Sequence, residues 1–536
     1  MKRKIYIIIL LAVMAVAQAC RKEKVVLTDP YADGKEVLGI NLNRDAVPVP
    51  AAGSPGTEVT FKVTGLMKYK DQARFLFNGE EAEIMSITDS EIKVKVPESG
   101  STGITSIVID DQLVLGPEFK VNGLVNIDPS FRATNGTNGP VNDVFPLADG
   151  RNLVIGSFTN YDNKGIIIPI NRIARISGDG EYDRSFRTGR AANGSLSGII
   201  EFNNRFYISG GFSGYNQRTE NISNITALTS TGAIDTIGIR VFKRGNKTND
   251  TLKWFPRFNG GTNSYIDKVY KHQNKILAVG GFRYYVRRTY GQPNYDFSRD
   301  TVILDSTEIR QVLRFNLDGT LDSNFRFNKQ TRKGNVSANG PVNSYMHTEG
   351  ANAEKLVLFG RFSTFDGKTA GNIVRLNVDG TIDETFQSGV GADNSISSLT
   401  YNNVTKKYLI SGVFRNYNGK PAFGLALLNE DGSLDQSFQG KSFDNFISFC
   451  RQLNDGLIVI SGGFKKYDNI TRNGFAILTP TGALASGYNA TGPFAGSLNN
   501  VIETQSADGK RALLLIGWFN KFDNEDRYNI IRVTLE

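Results

Sequence analysis

The chain has 536 residues, of which 40% are hydrophobic and 21% charged, and its formal net charge is +9. This charge is mild for the length, and no dense run of lysine and arginine occurs in the body of the chain, which argues against a nucleic-acid partner. With 56 glycines, 34 phenylalanines and 20 tyrosines, the composition predicts many short strands joined by tight turns.

The first residues have the pattern of an export signal. A basic segment (Lys2-Arg3-Lys4) precedes an apolar stretch over residues 5–17, which is too short to span a bilayer comfortably, and Ala17-Gln18-Ala19-Cys20 follows. This order resembles the lipobox of bacterial lipoproteins, in which the cysteine is acylated. We expect a signal peptide over residues 1–19, a lipid anchor to the membrane at Cys20 and a tether over residues 20–36. An ordinary signal peptide followed by a chance cysteine is the alternative.

Residues 37–122 have the pattern of a β-sandwich. Apolar and polar side chains alternate over residues 59–63 and 92–96, and turn sequences such as Asn78-Gly79 separate the runs. The order of Pro55-Gly56, Phe75-Leu76-Phe77-Asn78-Gly79 and Val96-Pro97 resembles the IPT/TIG family of immunoglobulin-like domains. The resemblance implies a spacer or interaction module.

The rest of the chain is a repeat array. The motif G-x-F-x-x-[YF] occurs seven times, at intervals of about 50 to 80 residues. A second motif, D-G-x-[LI]-D-x-x-F, recurs as in residues 318–325, and a partial copy at 127–131 precedes the first G-x-F. We predict an all-β chain with a seven-bladed β-propeller of four-stranded blades over residues 123–536, closed by the strand near 124–131. The G-x-F copies start at Gly156, Gly210, Gly280, Gly360, Gly412, Gly462 and Gly517.

Both motifs resemble the delta-sixty-type propeller repeat, which follows IPT/TIG domains in lipoproteins of the Bacteroidota. Some proteins of this kind are encoded beside SusC/SusD-type nutrient importers. The resemblance implies an outer-membrane lipoprotein that faces the cell exterior and acts as an accessory subunit of such an importer.

The sequence offers little for catalysis. It has only two histidines, His272 and His347, and neither a Ser/His/Asp order nor a Cys/His metal spacing. The Asp-Gly pairs are turn formers, and the second aspartate of the D-G motif is expected to cap a turn. Cys450 is left without a partner and is interpreted as a small core residue. We therefore expect no catalytic residue, no metal and no cofactor.

A third periodicity predicts a polar ring. One small polar residue precedes each G-x-F strand, and seven such residues at equivalent positions would surround the propeller axis. They would either hold water in a central channel or bind a ligand. The ring consists of Asn142, Ser197, Asp267, Asn343, Ser397, Ser448 and Asn499.

Two insertions near the third blade, over residues 236–258 and 283–310, are the second candidate site, since function tends to lie on loops held by a rigid scaffold. Their aromatic and arginine side chains suit protein or glycan contacts; the alternative is that they only pack an extended hairpin. Trp518, inside the last G-x-F motif, is expected to pack in the core. The candidate contact residues are Trp254, Tyr284, Tyr285, Arg287, Arg288, Tyr290 and Tyr295.

These features predict a non-catalytic surface lipoprotein that binds a nutrient, either glycan or peptide, or docks on a SusC/SusD-type importer. A protein-interaction or adhesion scaffold is the second hypothesis, and a glycan-cleaving enzyme is the third. Paired carboxylates that converge in space would be needed for the third.

Overall fold

The structure is a computed structural model that describes residues 37–218, 221–242, 249–293 and 300–536. The predicted signal peptide, Cys20, the tether and Tyr295 lie outside the described residues. Within the described ranges the regular secondary structure is β-strand apart from one short 3-10 turn, as the sequence predicts. None of the helices in these ranges is long and apolar enough to cross a membrane.

The N-terminal strands form a β-sandwich around a core of phenylalanines. Strand β5 changes partner between Ala82 and Glu83, so that its first residues pair β4 and the rest pairs β6, with a bulge between Ile84 and Ser86. Phe61, Phe75 and Phe77 pack between the two layers. The elements are β1 (Asn41–Leu42), β2 (Ala52–Gly53), β3 (Glu58–Thr64), a 3-10 turn (Met67–Tyr69), β4 (Arg74–Phe77), β5 (Glu80–Ile87), β6 (Glu91–Lys95), β7 (Gly103–Ile109) and β8 (Gln112–Val121).

The chain then enters the propeller, and the insertions lie just before and within its third blade. Blade 1 consists of β10–β12, blade 2 of β13–β15, and blade 3 of β19, β20 and β23. The strands are β9 (Asn126–Ile127), β10 (Val141–Pro146), β11 (Asn152–Gly156), β12 (Ile173–Ile176), β13 (Ser195–Phe202), β14 (Arg205–Gly211), β15 (Ile225–Thr229), β16 (Thr236–Phe242), β17 (Asn249–Pro256), β18 (Gly261–Thr262), β19 (Ile266–His272), β20 (Lys275–Gly280), β21 (Tyr284–Pro293), β22 (Asp300–Glu308) and β23 (Val312–Phe315).

Four more blades complete the ring. Blade 4 consists of β26, β27 and β30, blade 5 of β31, β32 and β35, blade 6 of β36, β37 and β40, and blade 7 of β41, β42 and β44. The strands are β24 (Phe327–Asn328), β25 (Lys333–Gly334), β26 (Val342–Met346), β27 (Leu356–Gly360), β28 (Thr364–Phe365), β29 (Lys368–Thr369), β30 (Ile373–Leu376), β31 (Ile396–Asn402), β32 (Lys407–Gly412), β33 (Asn416–Tyr417), β34 (Lys420–Pro421), β35 (Leu425–Asn429), β36 (Ile447–Gln452), β37 (Ile458–Gly462), β38 (Lys466–Tyr467), β39 (Ile470–Thr471), β40 (Phe475–Leu478), β41 (Ala495–Gln505), β42 (Arg511–Phe522), β43 (Glu525–Asp526) and β44 (Ile530–Thr534).

The fourth strand of each blade is shorter than the repeat predicts. In blades 1 to 6 it is a single bridging residue of the D-G motif, as where Ile382 pairs Leu376. In blade 7 the fourth position is filled by β9, whose Ile127 pairs Val533. The predicted closure is therefore confirmed, because a strand from the start of the propeller completes its last blade.

The D-G motif also supplies an arginine-binding carboxylate. In blade 4 Asp383 caps its turn by accepting from the Thr385 amide at 3.0 Å, and its second oxygen accepts from Arg375 Nε at 2.7 Å. The guanidinium lies 4.8 Å from the ring centroid of Phe386, the last residue of the motif. Burial raises the pKa of Asp383, but hydrogen bonds from Lys355, Thr385 and Arg375 outweigh it and hold that pKa low. The motif thus joins the turn at the outer edge of the blade to the third strand of the blade.

The sandwich packs directly on blades 6 and 7. Glu80 accepts from the Thr471 amide at 2.7 Å, and the Thr102 amide donates to the carbonyl of Ala490 at 2.9 Å. Ala490 belongs to the apolar core of the sandwich although it lies in the propeller chain. Lys120 also pairs with Asp523, which is nearly buried.

Candidate binding site at the propeller axis

The seven predicted ring residues converge on one central cavity of about 600 Å³. Five of them are the second residue of their inner strand, while Ser197 is the third and Asn499 the fifth, so the ring lies near the end of the channel where these strands begin. Farther along the same strands, Tyr345, Tyr401 and Arg451 also line the cavity. The ring members are Asn142, Ser197, Asp267, Asn343, Ser397, Ser448 and Asn499.

A β-bulge at the ring position explains this convergence. In six blades the register shifts across the ring residue, so that in blade 3, for example, Ile266 pairs Gly280 while Lys268 pairs Val279. The residue between them, Asp267, has no partner in the ladder, and bulges re-aim such a side chain. Blade 4 is the exception, since Asn343 pairs Phe359 in regular register.

The glycine of the G-x-F motif is what permits the bulge. In every blade it pairs the residue just before the ring residue, as Gly412 pairs Ile396. A Cβ on Gly412 would lie 2.2 Å from the carbonyl oxygen of Ser395, and the other six glycines meet an equivalent carbonyl at 2.0 to 2.4 Å. The motif is thus the sequence signature of the ring, because only glycine fits opposite the bulge.

Part of the ring joins neighbouring blades. Asn142 donates to the carbonyl of Leu196 in the next blade at 2.7 Å, and Ser197 donates to that of Ile266 at 2.7 Å. Asn499 donates to the carbonyl of Val141 at 2.9 Å and so links blade 7 to blade 1. These side chains stabilise the ring and leave less capacity for a ligand.

The ring residues of blades 3 to 5 differ from those that join neighbouring blades. In the described part of the chain the side chains of Asp267, Asn343 and Ser397 make no hydrogen bond or ion pair to protein. Burial raises the pKa of Asp267 to about 6, against the lowering effect of neighbouring Lys268. Blades 3 to 5 therefore present free polar groups to the cavity.

The cavity is lined by equal numbers of positively and negatively charged side chains. Lys268 Nζ lies 2.7 Å from Asp143 Oδ2, which pairs them across the channel. Arg451 donates to Asn500 at 3.1 Å, and its buried Nε has no partner within the described residues. Together with Asp267 the cavity has two carboxylates and two cations.

Both histidines serve packing away from the ring. His272 lies 3.0 Å from Arg314 and 5.5 Å from the ring of Phe325, measured between centroids. His347 contacts the Tyr408 hydroxyl at 2.5 Å, and burial lowers the pKa of His347 to about 4. Cys450 is fully buried, as expected. No group of three or more His, Cys, Asp or Glu side chains suited to a metal occurs among the described residues.

The insertions place the candidate contact residues in different environments, and two of these residues are corrected. Trp254 is exposed over 58% of its surface, and Arg287 is also exposed. Tyr285 is buried in the core of blade 3, and Tyr290 stacks on Phe255 with centroids 4.1 Å apart. Tyr285 thus belongs to the core of the blade and Tyr290 to a separate small cluster between the hairpins, so both serve packing and are not contact residues.

The remaining candidate contact residues of the insertions are half-buried. Tyr284 is half-buried, with the guanidinium of Arg283 5.6 Å from its ring centroid. Arg288 is half-buried and donates to Ser223 Oγ at 2.7 Å, and burial lowers the pKa of Arg288. Arg288 is thus held by the scaffold, which leaves Trp254 and Arg287 as the free surface of the insertion.

The expectation for Trp518 is wrong, because it is exposed over 67% of its surface. Its position in β42 is opposite Ser497, two residues before the ring residue Asn499. Sequence reasoning also missed Tyr265 and Phe446, which stand two residues before their own ring residues. Their regular offset from the ring was the signal that could have found them.

Comparison with known proteins supports the two-domain layout. Residues 17–117 match the family described as Domain of unknown function (DUF5008). Residues 355–386 and 406–438 match Domain of unknown function (DUF5122) beta-propeller. No curated protein matches the chain.

Three solved structures illustrate what the chain is similar to. The WD40 beta propeller domain of Doa1 is 12% identical to this chain. The match spans 76% of this chain and 96% of the Doa1 chain, with a TM-score of 0.39. The computationally designed Ika8 protein is 8% identical over 86% of this chain and 96% of its own, with a TM-score of 0.34. Sqt1 from Chaetomium thermophilum is 9% identical over 76% of this chain and 99% of its own, with a TM-score of 0.36.

Proposed function

We propose that the protein is a non-catalytic outer-membrane lipoprotein, anchored at Cys20, that binds a nutrient for a SusC/SusD-type importer. The axial cavity carries this proposal. Seven bulged or edge positions aim polar side chains at one space of about 600 Å³, and three of them have no partner among the described residues. A concave site with a few convergent polar groups is the usual form of a ligand pocket.

The surroundings of the candidate catalytic groups support a binding role. His347 and Cys450 are buried in packing, and burial raises the pKa of the Cys450 thiol to about 12, which disfavours the nucleophilic thiolate. Asp143 is paired with Lys268, so Asp267 faces the cavity without a second free carboxylate beside it. General acid–base hydrolysis of a glycan needs two such groups.

The blade 3 hairpins suit docking on the importer. Leu252 and Trp254 are exposed on β17, and the consecutive residues Val302, Ile303 and Leu304 are exposed on β22. Exposed apolar side chains on an edge strand are the kind of surface that partner proteins cover. This observation also favours the second hypothesis, a protein-interaction scaffold.

A native pull-down from outer membranes, with an affinity tag after Glu536, tests the proposal. We expect the full chain to co-purify with an importer barrel and its SusD-like lid, and the double variant Leu252→Asp/Trp254→Asp to lose both. Cys20→Ala should move the protein to the soluble fraction. Recovery of the tagged chain without an importer, or a membrane-bound Cys20→Ala variant, would contradict the proposal.

A further inference from the structure

The backbone register places aromatic residues of three blades beside the mouth of the axial cavity, just outside the residues that line it. Tyr265 and Phe446 lie two residues before the ring residues Asp267 and Ser448, which is about 6–7 Å along an extended chain. They are exposed over 48% and 49% of their surfaces. Trp518 occupies the paired position on the second strand of blade 7.

Each of these rings lies opposite a residue that leaves room for it. A Cβ on Gly281 would lie 2.4 Å from Cζ of Tyr265, and one on Gly463 would lie 2.7 Å from Cε1 of Phe446. Both rings therefore lie flat against the backbone of the neighbouring strand. In blade 7 the large and small residues exchange places, with Ser497 facing Trp518. The paired small residues fix the rings and keep one face of each open to solvent.

The aromatic positions flank the mouth from two sides. Blades follow one another in chain order around the ring, so blade 3, with Tyr265, lies across from blades 6 and 7, with Phe446 and Trp518. In blades 4 and 5, which lie between blade 3 and blade 6, the position equivalent to Trp518 holds the exposed residues Arg361 and Val413. The mouth is thus bounded by flat apolar faces on opposite sides.

The cavity below the mouth is polar and electrically balanced. Asp143 and Asp267 are offset by Lys268 and Arg451. Asp267 accepts hydrogen bonds only, the Arg451 guanidinium donates only, and Asn343 does both. Such a lining matches a ligand that carries many hydroxyl groups and no net charge.

We infer that the mouth binds the end of a neutral carbohydrate chain. The faces of sugar rings stack on Tyr265, Phe446 and Trp518, and the hydroxyl groups of the terminal sugar reach Asp267 and its unpartnered neighbours in the ring. Aromatic side chains present the apolar face that a sugar ring needs. This inference rests on the proposed binding function and names its ligand class.

The two tryptophans of the chain allow a direct test. Trp254→Phe leaves Trp518 as the only indole, so its fluorescence reports on the mouth alone. We would titrate the purified full chain, in a detergent without a sugar headgroup, with maltohexaose, cellohexaose, xylohexaose and mannohexaose. Hexagalacturonate and a peptide pool from casein serve as charged and peptidic probes. We expect at least one neutral hexasaccharide to change the emission of Trp518 in a saturable way.

Variants locate the site by calorimetry. Tyr265→Ala and Trp518→Ala in the otherwise unchanged chain should each weaken binding of that hexasaccharide at least tenfold, and Asp267→Ala at least fivefold, with the melting temperature retained. Tyr528→Ala, which removes another exposed aromatic, should leave the affinity unchanged.

The outcomes separate this inference from the proposed function. No response to any neutral hexasaccharide, or binding that survives the Tyr265→Ala/Trp518→Ala double variant, overturns the inference. Saturable binding of hexagalacturonate or peptide alone also overturns it while leaving a nutrient-binding lipoprotein standing. Failure of the proposed function is read separately, from the importer pull-down and the membrane retention of the Cys20→Ala variant.

Discussion

Arg532 donates from Nε to Asp128 at 2.5 Å, so a residue near the end of the chain is joined to one that precedes blade 1. Both side chains are buried, at 2% and 3% exposure. The guanidinium also donates to Ser130 and Asp179, and it lies 5.4 Å from the ring centroid of Phe131. This is the same arginine–aspartate–phenylalanine cluster as in blade 4, but here its members come from opposite ends of the propeller.

Replacing Arg532 should therefore open the ring. Arg532→Gln leaves the Asp128 carboxylate buried without its partner, which costs about 3–5 kcal/mol of the free energy of unfolding. Arg132→Gln is the matched control, because Arg132 forms an exposed pair with Glu181 that contributes below about 1 kcal/mol. Urea unfolding followed by circular dichroism measures both. Equal losses in the two variants would contradict the role of this pair in closure.

The bulge beneath the ring gives a second prediction, from two adjacent glycines. A Cβ on Gly210 would lie 2.0 Å from the Ser195 carbonyl oxygen, whereas on Gly211 its nearest neighbour would be Tyr265 Cβ at 3.7 Å. We expect Gly210→Ala to destabilise the protein by about 2 kcal/mol or more, since overpacking shifts the backbone. Gly211→Ala should be within about 0.5 kcal/mol of the parent. Similar melting temperatures for the two variants would refute the steric argument.

The insertion hairpins give a third prediction from neighbouring residues with opposite exposure. Phe255 packs on Tyr290 and belongs to a small cluster with Val241, whereas Trp254 faces solvent. Phe255→Ala should remove the contact between the hairpins, at a cost of about 3 kcal/mol, and increase amide hydrogen exchange in residues 236–242. Trp254→Ala should leave exchange unchanged. Protection that persists in Phe255→Ala would mean that the backbone pairing alone holds the hairpins.

Repetition made the fold and the ring predictable. Seven copies of the G-x-F motif fix the number of blades, and the offset of the partial motif at 127–131 indicates closure, because each copy has a set place in a blade. The polar ring followed in the same way: Asn142 and its six equivalents share one position relative to the motif glycine.

Single-copy features were not predictable on the same basis. Tyr290 differs little in sequence from exposed tyrosines, and its burial depends on Phe255, which meets it only in the fold. Tyr285, by contrast, is the final aromatic of the third G-x-F-x-x-[YF] copy, whose equivalents Tyr161 and Tyr417 are also buried, so repetition could have predicted its burial. Trp518 occupies the variable second position of its motif copy, and its exposure is seen only in the fold.

The unpartnered carboxylate of Asp267 gives the last prediction, which is a dependence on pH. Burial raises the pKa of Asp267 from 3.8 to about 6, while Lys268 opposes the rise; Lys268 is itself paired with Asp143, and Tyr265 and Tyr270 also face the carboxylate. Between pH 3.8 and about 6 the folded state holds a proton that the unfolded chain has released, so stability falls as the pH rises through this window.

Asp267→Asn removes the buried charge and keeps the size of the side chain. Relative to the parent, its melting temperature should rise by a few degrees at pH 8 and by nothing measurable at pH 4. Asp143→Asn is the control of opposite sign, since it leaves Lys268 without its partner and should lower the melting temperature at pH 8. Differential scanning calorimetry from pH 4 to pH 8 follows both variants. An Asp267→Asn effect that is the same at the two ends of the range would mean that the carboxylate is not held in an unfavourable charged state.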